Sequence, residues 1–281
     1  MAEISAALVM ELRAETNVGM MECKKALQDA GGDKVKAVQL LRERGLATAG
    51  KKASRAANSG VIAAKTTADG RTGVLLEVNC ETDFVARNEI FQGFVGELLA
   101  KALRSEGELA PLVKDQVAAR IAQIGENIVV RRNVKFAVQG EGLIATYIHL
   151  GSKVGVMLEL GWAKPETAAH AACVELAKDL TLHVAACAPH YLDRQAVPGK
   201  VLAVEREIYA KQVENKPANI IEKIVNGKVE KFYSQVCFVE QPFVKDQDVT
   251  VTKLLAAKSK DVGDTLSVRR FARFQLGEEI Q

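Results

Sequence analysis

An internal repeat constrains the fold of this chain more than any other feature of its sequence. The apolar run Thr72–Val78 returns as Val154–Leu160, with matching glycine and glutamate positions. Each run has the length and composition of a buried strand and is followed by an amphipathic helical pattern, over about 89–104 and about 166–187. Further strand patterns occupy 61–67, 128–138 and 143–149. The sequence therefore predicts a duplicated α+β core with antiparallel sheets, divided into a first subdomain, 61–145, and a second subdomain, 146–281.

The composition limits the classes of function. The 281 residues leave room for two or three packed units, and a hydrophobic fraction of 48% is ordinary for a folded protein. The 38 basic and 35 acidic residues give a net charge of +3, so no broad basic field argues for nucleic-acid binding. No apolar run approaches the length of a membrane span, and Met1–Ile4 lacks the layout of a signal peptide. We therefore expect a cytoplasmic protein with no membrane or nucleic-acid partner.

The first 50 residues predict a separate three-helix module. Apolar residues at helical spacing give each helix one face: Ala7, Leu8, Val9 and Leu12 in the first, Met20, Met21, Cys23 and Leu27 in the second, and Val35, Val38 and Leu41 in the third. Asp33 is the predicted N-cap of the third helix, and Gly45 its predicted end. Adjacent helical positions point about 100° apart, so one of Met20 and Met21 is expected to fill the core and the other to be exposed.

Two further segments divide the chain. Residues 51–60 carry no large apolar side chain and are interpreted as a linker, although its positive charges would also suit phosphates. Residues 190–237 predict a helical hairpin inserted in the second subdomain, with its turn at Asn215–Pro217.

The connection after the first repeated strand carries the most informative residue, Phe84. The helical stripe beyond it buries its own aromatics, Phe91 and Phe94, and Asn88 is its predicted N-cap. Phe84 lies outside that stripe and beside Asp83. A large apolar side chain there either plugs a local core or projects outward into a partner.

Several strings in the chain resemble the elongation factor Ts family, whose members are guanine-nucleotide exchange factors of the translational GTPase elongation factor Tu. The matching strings are Thr82–Asn88, Thr16–Leu27, Ile124–Ile128 and Gln241–Asp246. The resemblance runs along essentially the whole chain. Asn17 stands where the family usually has glycine. Some members continue beyond the residues that match Phe274–Gln281 into another helix, so the extent of the interface stays open.

The resemblance implies a fold and a set of contact residues. It implies a ubiquitin-associated-like N-terminal docking domain over 1–50 and a coiled-coil form for the 190–237 hairpin. It implies that the connection after the first repeated strand enters elongation factor Tu and displaces its Mg²⁺ ion, with Asp83 supporting the loop or meeting the partner. The residues so implied are Thr82, Asp83, Phe84 and Val85 in that connection, Thr16, Gly19, Met20 and Met21 in the docking domain, and, further along the chain, Ile124, Gly125, Glu126, Asn127 and His149. A strand-end surface role remains the alternative for His149. Self-association through the hairpin or the core remains open.

The sequence contains no constellation typical of an enzyme. The four histidines, His149, His170, His183 and His190, lack metal-ligand spacing, and His183 on an apolar helix face is interpreted as structural. The five cysteines form no C-x-x-C pair, which argues against zinc and favours reduced thiols. There is no phosphate-binding loop and no nucleophile elbow, so we expect neither a cofactor nor direct nucleotide binding. Arg131 and Arg132 are interpreted as a charged strand edge. The alternative function is an RNA-binding or ribosome-associated accessory protein.

Overall fold

The computed structural model describes residues 4–16, 18–215 and 217–279, apart from the side chain of Ala218. The predicted turn positions Asn17 and Lys216 lie outside the described residues. The helices are α1 (Ala6–Thr16), α2 (Met20–Asp29), α3 (Lys34–Lys52), α4 (Asp83–Ala86), α5 (Glu89–Arg104), α6 (Leu109–Leu112), α7 (Lys114–Ile124), α8 (Ala171–Cys187), α9 (Gly199–Lys211), α10 (Ala218–Val236) and α11 (Val251–Val262). The strands are β1 (Ser59–Thr66), β2 (Thr72–Cys80), β3 (Ile128–Ala137), β4 (Glu141–His149), β5 (Val154–Trp162), β6 (Pro242–Phe243), β7 (Asp246–Thr250) and β8 (Ser267–Gln275).

The core is built from two antiparallel sheets of the same design. One has the strand order β1-β2-β3 and the other β4-β5-β8, so the repeated runs form the central strand of each sheet. Both central strands shift register at the repeated glutamate, after Glu77 in β2 and after Glu159 in β5. The mixed helical and antiparallel architecture agrees with the predicted α+β class. The helix predicted from residue 89 begins at Glu89 as expected, and the Asn88 side chain accepts a hydrogen bond from Ile90 N at 2.8 Å.

A buried glutamate in each central strand is held by two consecutive arginines of the neighbouring edge strand. Both glutamates are fully buried. The four ion pairs join Glu77 to Arg131 at 3.0 Å and Arg132 at 2.7 Å, and Glu159 to Arg269 at 3.1 Å and Arg270 at 2.7 Å. Burial opposes ionisation of the Glu159 carboxyl, but hydrogen bonds from Gln139, Arg269 and Arg270 outweigh it and lower the pKa. Arg131 and Arg132 lie on an edge strand, as interpreted from the sequence, but they also neutralise a buried carboxylate of β2, which the sequence did not indicate.

The same arginines join the two halves reciprocally. Arg132 of the first half stacks over the Phe274 ring of the second half, with its guanidinium carbon 4.0 Å from the ring centroid. Arg270 of the second half stacks over Phe136 of the first half at 4.2 Å. Each arginine also donates to a backbone carbonyl of the opposite half, Arg132 to Gln275 and Arg270 to Ala137. The duplication therefore extends to the contacts that fix one half against the other.

The two sheets pack face to face through an apolar layer that includes Ile62, Leu75, Ile144 and Met157. The repeated glycines allow this approach. A Cβ atom at Gly73 would lie 2.6 Å from Ile144 Cγ2 and 2.9 Å from Met157 Sδ, and a Cβ atom at Gly155 would collide with Ile62 and lie 2.8 Å from Leu75 Cδ1. The outer faces of the sheets are covered by helices. A cluster that includes the buried Phe91 and Phe94 covers the first sheet, and one that includes Leu176 and Leu180 of α8 covers the second.

The N-terminal helices α1, α2 and α3 enclose a small core of Val9, Leu12, Cys23, Leu27 and Leu41. The prediction that the third helix ends at Gly45 is wrong. Gly45 is buried inside α3 against Ala118 of α7, and the helix continues to Lys52. The residues predicted as a linker, 51–60, are irregular only over 53–58, because α3 and β1 take the two ends.

Three assignments of inward-facing residues in the N-terminal helices are also wrong. In α1, Ala7 is exposed, and the buried residues are Val9 and Leu12. Val35 is 79% exposed, and Ala37 and Leu41 bury the α3 face in its place. Both methionines at the start of α2 are exposed, Met20 by 47% and Met21 by 74%. The buried face of α2 begins one turn later, at Cys23.

The inserted segment forms two packed helices, α9 and α10. Its base is closed by a bridge between Tyr191 and Cys237, where Tyr191 N donates to Val236 O at 3.0 Å and Phe238 N donates to Tyr191 O at 2.8 Å. Arg194 reinforces this base by pairing with Glu230 and Glu240. The chain therefore leaves the core and returns to it at neighbouring points. Among the described residues, none of the helices combines the length and the apolar character that crossing a membrane requires.

Candidate functional site

Phe84 projects from a single helical turn directly after the central strand of the first sheet. That turn is α4, and the Phe84 side chain is 83% exposed although it belongs to the most apolar residue types. The alternative that Phe84 plugs a local core is wrong. The inward contact of the turn is made by Ala86, which is buried, while Val85 is half-buried. Asp83 forms an ion pair with Arg87 at 3.0 Å and remains largely exposed.

The turn is held from below by one carboxylate. Glu126 accepts hydrogen bonds from Glu81 N at 3.1 Å, from Thr82 N at 3.0 Å and from Thr82 Oγ1 at 2.7 Å. Thr82 Oγ1 in turn accepts from Val85 N at 3.3 Å and so caps α4. The side chain of Glu126 is therefore occupied with the chain's own loop.

A second group of hydrogen bonds ties this loop to the exit of the N-terminal module. Asn127 N donates to Glu81 Oε1 at 2.7 Å, and the buried Asn127 side chain donates to Arg55 O at 2.8 Å. The bond from Asn127 N, helped by the nearby Arg55 charge, lowers the pKa of Glu81. Lys52 at the end of α3 donates to Gly125 O. The connection after the N-terminal module is thus fastened to the segment that holds the Phe84 turn.

The turn after the second central strand is held in the same way. Asp264 accepts from Ala163 N at 3.2 Å, from Lys164 N at 2.9 Å and from Thr167 Oγ1 at 2.6 Å. The Thr167 hydroxyl, with these backbone N–H groups, lowers the pKa of Asp264 to about 2. The carboxylate that clamps each turn follows a left-handed glycine that ends a helix, Gly125 after α7 and Gly263 after α11. The second turn is a 3-10 turn with no phenylalanine.

The Phe84 turn borders a cleft of about 570 Å³ whose other wall comes from the second half. Asp83 and Arg87 line one side, and the tight turn between β4 and β5 lines the other. In that tight turn Leu150 is 63% exposed and adopts a left-handed conformation, with φ of 53°. Non-glycine residues rarely take this conformation, and the turn holds an apolar side chain in solvent.

His149 lies at the start of the same tight turn. Its ring stacks on Tyr147, with centroids 5.6 Å apart, and its Nδ1 atom is 2.9 Å from the Tyr147 hydroxyl. His149 is exposed. The structure therefore places His149 on the turn that lines the Phe84 cleft. The same structure puts Glu126 and Asn127 underneath the Phe84 turn, with Ile124 half-buried and Gly125 exposed beside them.

The predicted contact residues of the N-terminal module form a second, separate group. Thr16 and Gly19 line a groove of about 600 Å³ between this module and α7. The Thr16 hydroxyl donates to Leu12 O at 2.7 Å within the last turn of α1, and the Cys23 thiol of α2 donates to Val18 O at 3.5 Å in the segment before that helix. Met20 and Met21 stand at that start. Met suits a partner surface because its thioether is flexible and polarizable.

One histidine, His183, is engaged inside the fold, whereas His170 and His190 are exposed. His183 is buried, and Val244 N donates to its Nδ1 at 3.1 Å, so Nε2 carries the proton and donates to Gln241 Oε1 at 2.9 Å. Burial lowers the pKa of His183. This confirms the structural interpretation of His183. The cysteines are free thiols. Within residues 4–16, 18–215 and 217–279, no group of three or more acidic, histidine or cysteine side chains is arranged to hold a metal ion.

Sequence reasoning missed three features of this region. The clamp by Glu126 joins residues 44 positions apart and has no local pattern. Leu150 has a local signal in the sequence, since it is an apolar residue followed by glycine at the end of a strand. The engagement of Arg55 with Glu81 and Asn127 was hidden in a segment interpreted as a linker.

Comparison with known proteins gives a consistent result. The family model described as Elongation factor TS matches residues 81–278. Elongation factor Ts of Nitratidesulfovibrio vulgaris strain DP4 is 44% identical over 278 residues, covering 98% of this chain and 96% of its own. The proteins of the same description from Trichlorobacter lovleyi and Symbiobacterium thermophilum are 43% and 45% identical, covering 99% and 100% of this chain and 94% of their own.

Proposed function

The chain belongs to the elongation factor Ts family, and from that membership we propose that it binds elongation factor Tu in its GDP-bound state and promotes release of GDP. The family places the chain in translation elongation and nucleotide exchange. The partner, the mechanism and the contact residues below are our proposal.

The exposure of Phe84 carries the proposal. A phenylalanine that is 83% exposed contributes almost nothing to the stability of its own fold. Its backbone is nevertheless fixed by the Thr82 cap of α4 and by the three hydrogen bonds that Glu126 accepts. Buried aromatic anchors are the commonest strong contacts of protein interfaces, and preorganisation reduces the entropy lost on binding. A rigidly presented aromatic side chain suits entry into a partner.

The proposed mechanism is steric and electrostatic, without covalent chemistry. Phe84 enters between two helices of the GTPase, and Asp83 meets a polar group there or keeps the turn in place through Arg87. The disturbance displaces the Mg²⁺ ion that clamps the GDP phosphates, which removes much of the electrostatic attraction for the nucleotide. If the chain weakens GDP binding by some factor, GDP weakens binding of the chain by the same factor. Binding of GTP then expels the chain and completes the cycle.

The other surfaces are assigned supporting contacts. Thr16, Gly19, Met20 and Met21 present the N-terminal module for docking on the GTPase. His149, with Leu150 on the same turn, faces the partner across the cleft from the Phe84 turn. Ile124 and Gly125 lie at the edge of this surface, whereas the Glu126 and Asn127 side chains support the loop from within. The chain itself is proposed to bind no nucleotide and to need no cofactor.

The proposal is tested by release of labelled GDP from elongation factor Tu with and without the chain. Acceleration that requires catalytic rather than stoichiometric amounts of the chain supports it. Unchanged release refutes it. Titration of tRNA against the chain at increasing salt addresses the RNA-binding alternative, because phosphate contacts impose a steep loss of affinity with salt. Tight, salt-sensitive tRNA binding by a chain that leaves GDP release unchanged would favour that alternative.

A further inference from the structure

A single carboxylate, that of Glu126, governs the backbone from which Phe84 projects. We propose that Glu126 is a positioning residue that fixes the direction of Phe84 for entry into the partner. This inference rests on the proposed function and deepens it, because it names the group that sets the geometry of the same site.

The direction of Phe84 depends on a chain of hydrogen bonds that begins at Glu126. The Thr82 hydroxyl donates its only proton to Glu126 at 2.7 Å, which leaves its oxygen free to accept from Val85 N at 3.3 Å. Without the carboxylate the hydroxyl is free to rotate away from this arrangement. A four-residue helix has no stability of its own, because nucleation of a helical turn is unfavourable. The conformation of α4 is therefore imposed by its cap and by the clamp beneath it.

Glu126 is itself held rigidly. It follows Gly125, the left-handed residue that ends α7, and α7 is anchored in the core by the buried Ile121. The next residue, Asn127, is buried and is bonded to both Glu81 and Arg55. Because Glu126 is fixed to the core in this way, its hydrogen bonds hold the Phe84 turn in a fixed position relative to the core.

The second half of the molecule supplies a natural comparison. Asp264 clamps two consecutive backbone N–H groups and a threonine hydroxyl as Glu126 does, but the turn above it presents Glu166 in place of a phenylalanine. The clamp is thus a general feature of the repeated fold. What distinguishes the first copy is the aromatic side chain that the clamped turn carries. Replacing Asp264 should therefore lower the stability of the fold without changing the direction of Phe84.

The test is a double-mutant cycle on GDP release from elongation factor Tu, measured at saturating concentrations of the full chain. The variants are Glu126→Ala, Phe84→Ala and the double substitution, with Asp264→Ala as the matched control. Thermal unfolding of each free variant is measured in parallel. Residues that act through one another give non-additive effects, whereas independent residues give additive ones. If Glu126→Ala fails to fold, Glu126→Gln, which keeps the side-chain size and one acceptor oxygen, replaces it in the same cycle.

Glu126→Ala is expected to lower the saturating release rate about tenfold when Phe84 is present and less than about twofold when Phe84 has been replaced, because displacement of a binding group by about 1 Å is enough for losses of this order. The Asp264→Ala control should lose thermal stability while its release rate stays within about twofold of the original. Equal loss from Glu126→Ala in both backgrounds, or no loss when Phe84 is present, would overturn the positioning role. If the unsubstituted chain does not accelerate GDP release from elongation factor Tu, the proposed function is refuted and the positioning role with it. An active chain with a silent Glu126→Ala variant would refute the positioning role alone.

Discussion

Replacing Phe84 with alanine should leave the free protein nearly as stable as before, whereas the same replacement at Phe94 should not. Full burial of a phenylalanine side chain is worth about 1.5–3 kcal/mol. Phe84 is 83% exposed, so only about a sixth of that value, at most about 0.5 kcal/mol, is at stake. Phe94 is 1% exposed in the core of the first half, with the Arg120 guanidinium 4.9 Å from its ring centroid. Its loss should cost about 3–5 kcal/mol, because a cavity adds to the lost transfer energy.

Urea unfolding of the two free variants, followed by circular dichroism, separates the two cases. The Phe84→Ala curve should nearly overlay that of the unsubstituted chain, and the Phe94→Ala midpoint should fall far below it at an unchanged slope. A Phe84→Ala midpoint as low as that of Phe94→Ala would refute the argument, since it would show that the fold depends on Phe84.

Three further predictions concern other parts of the molecule. Joint replacement of Met20 and Met21 by alanine should weaken binding of elongation factor Tu about tenfold in calorimetric titration with no change in unfolding midpoint, and unchanged affinity would contradict the docking role. Replacing residues 195–234 with a short Gly/Ser loop should preserve folding and most exchange activity, because Tyr191 and Cys237 already meet at the base of the hairpin. A shortened chain that has native circular dichroism but no longer accelerates GDP release from elongation factor Tu would contradict this. The pKa of Asp264, about 2 in the fold against 3.8 ordinarily, means that the unfolded chain takes up its proton first. Its contribution to stability is therefore complete above about pH 4 and is lost as the pH falls through about 2. Asp264→Asn should accordingly flatten the curve of unfolding free energy against pH in this range. An unchanged curve would show that the hydrogen bonds of Asp264 do not cause the loss of stability in acid.

The sequence pattern predicted the elements whose signals are local. The repeated strands, the Asn88 cap and the helix beyond it follow from periodicity and capping chemistry within short windows, and each was confirmed. The exclusion of Phe84 from the helical stripe was also a local observation, and it distinguished the exposed aromatic from the buried Phe91 and Phe94.

The features that the sequence did not predict depend on tertiary contacts. Arg131 and Arg132 do lie on an edge strand, but the sequence does not show that both pair with the buried Glu77 of the neighbouring strand. Gly45 has the character of a helix end, but packing against α7 carries the helix past it. Glu126 reaches Thr82 only because the end of α7 and the end of β2 lie side by side. In each case a partner remote in sequence decides the outcome.

The most direct test of the central claim is the rate of GDP release from elongation factor Tu at saturating Phe84→Ala variant, compared with the unsubstituted chain. Saturation removes differences in affinity, so the rate reports only what the bound chain does to the nucleotide site. An aromatic anchor in a partner pocket is worth about 2 kcal/mol or more, or upwards of about thirtyfold in the exchange reaction as a whole. Because insertion of Phe84 itself perturbs the Mg²⁺ site, we predict that part of this loss remains at saturation, as slower GDP release with the variant. Release at the rate of the unsubstituted chain would contradict the claim that Phe84 opens the nucleotide site.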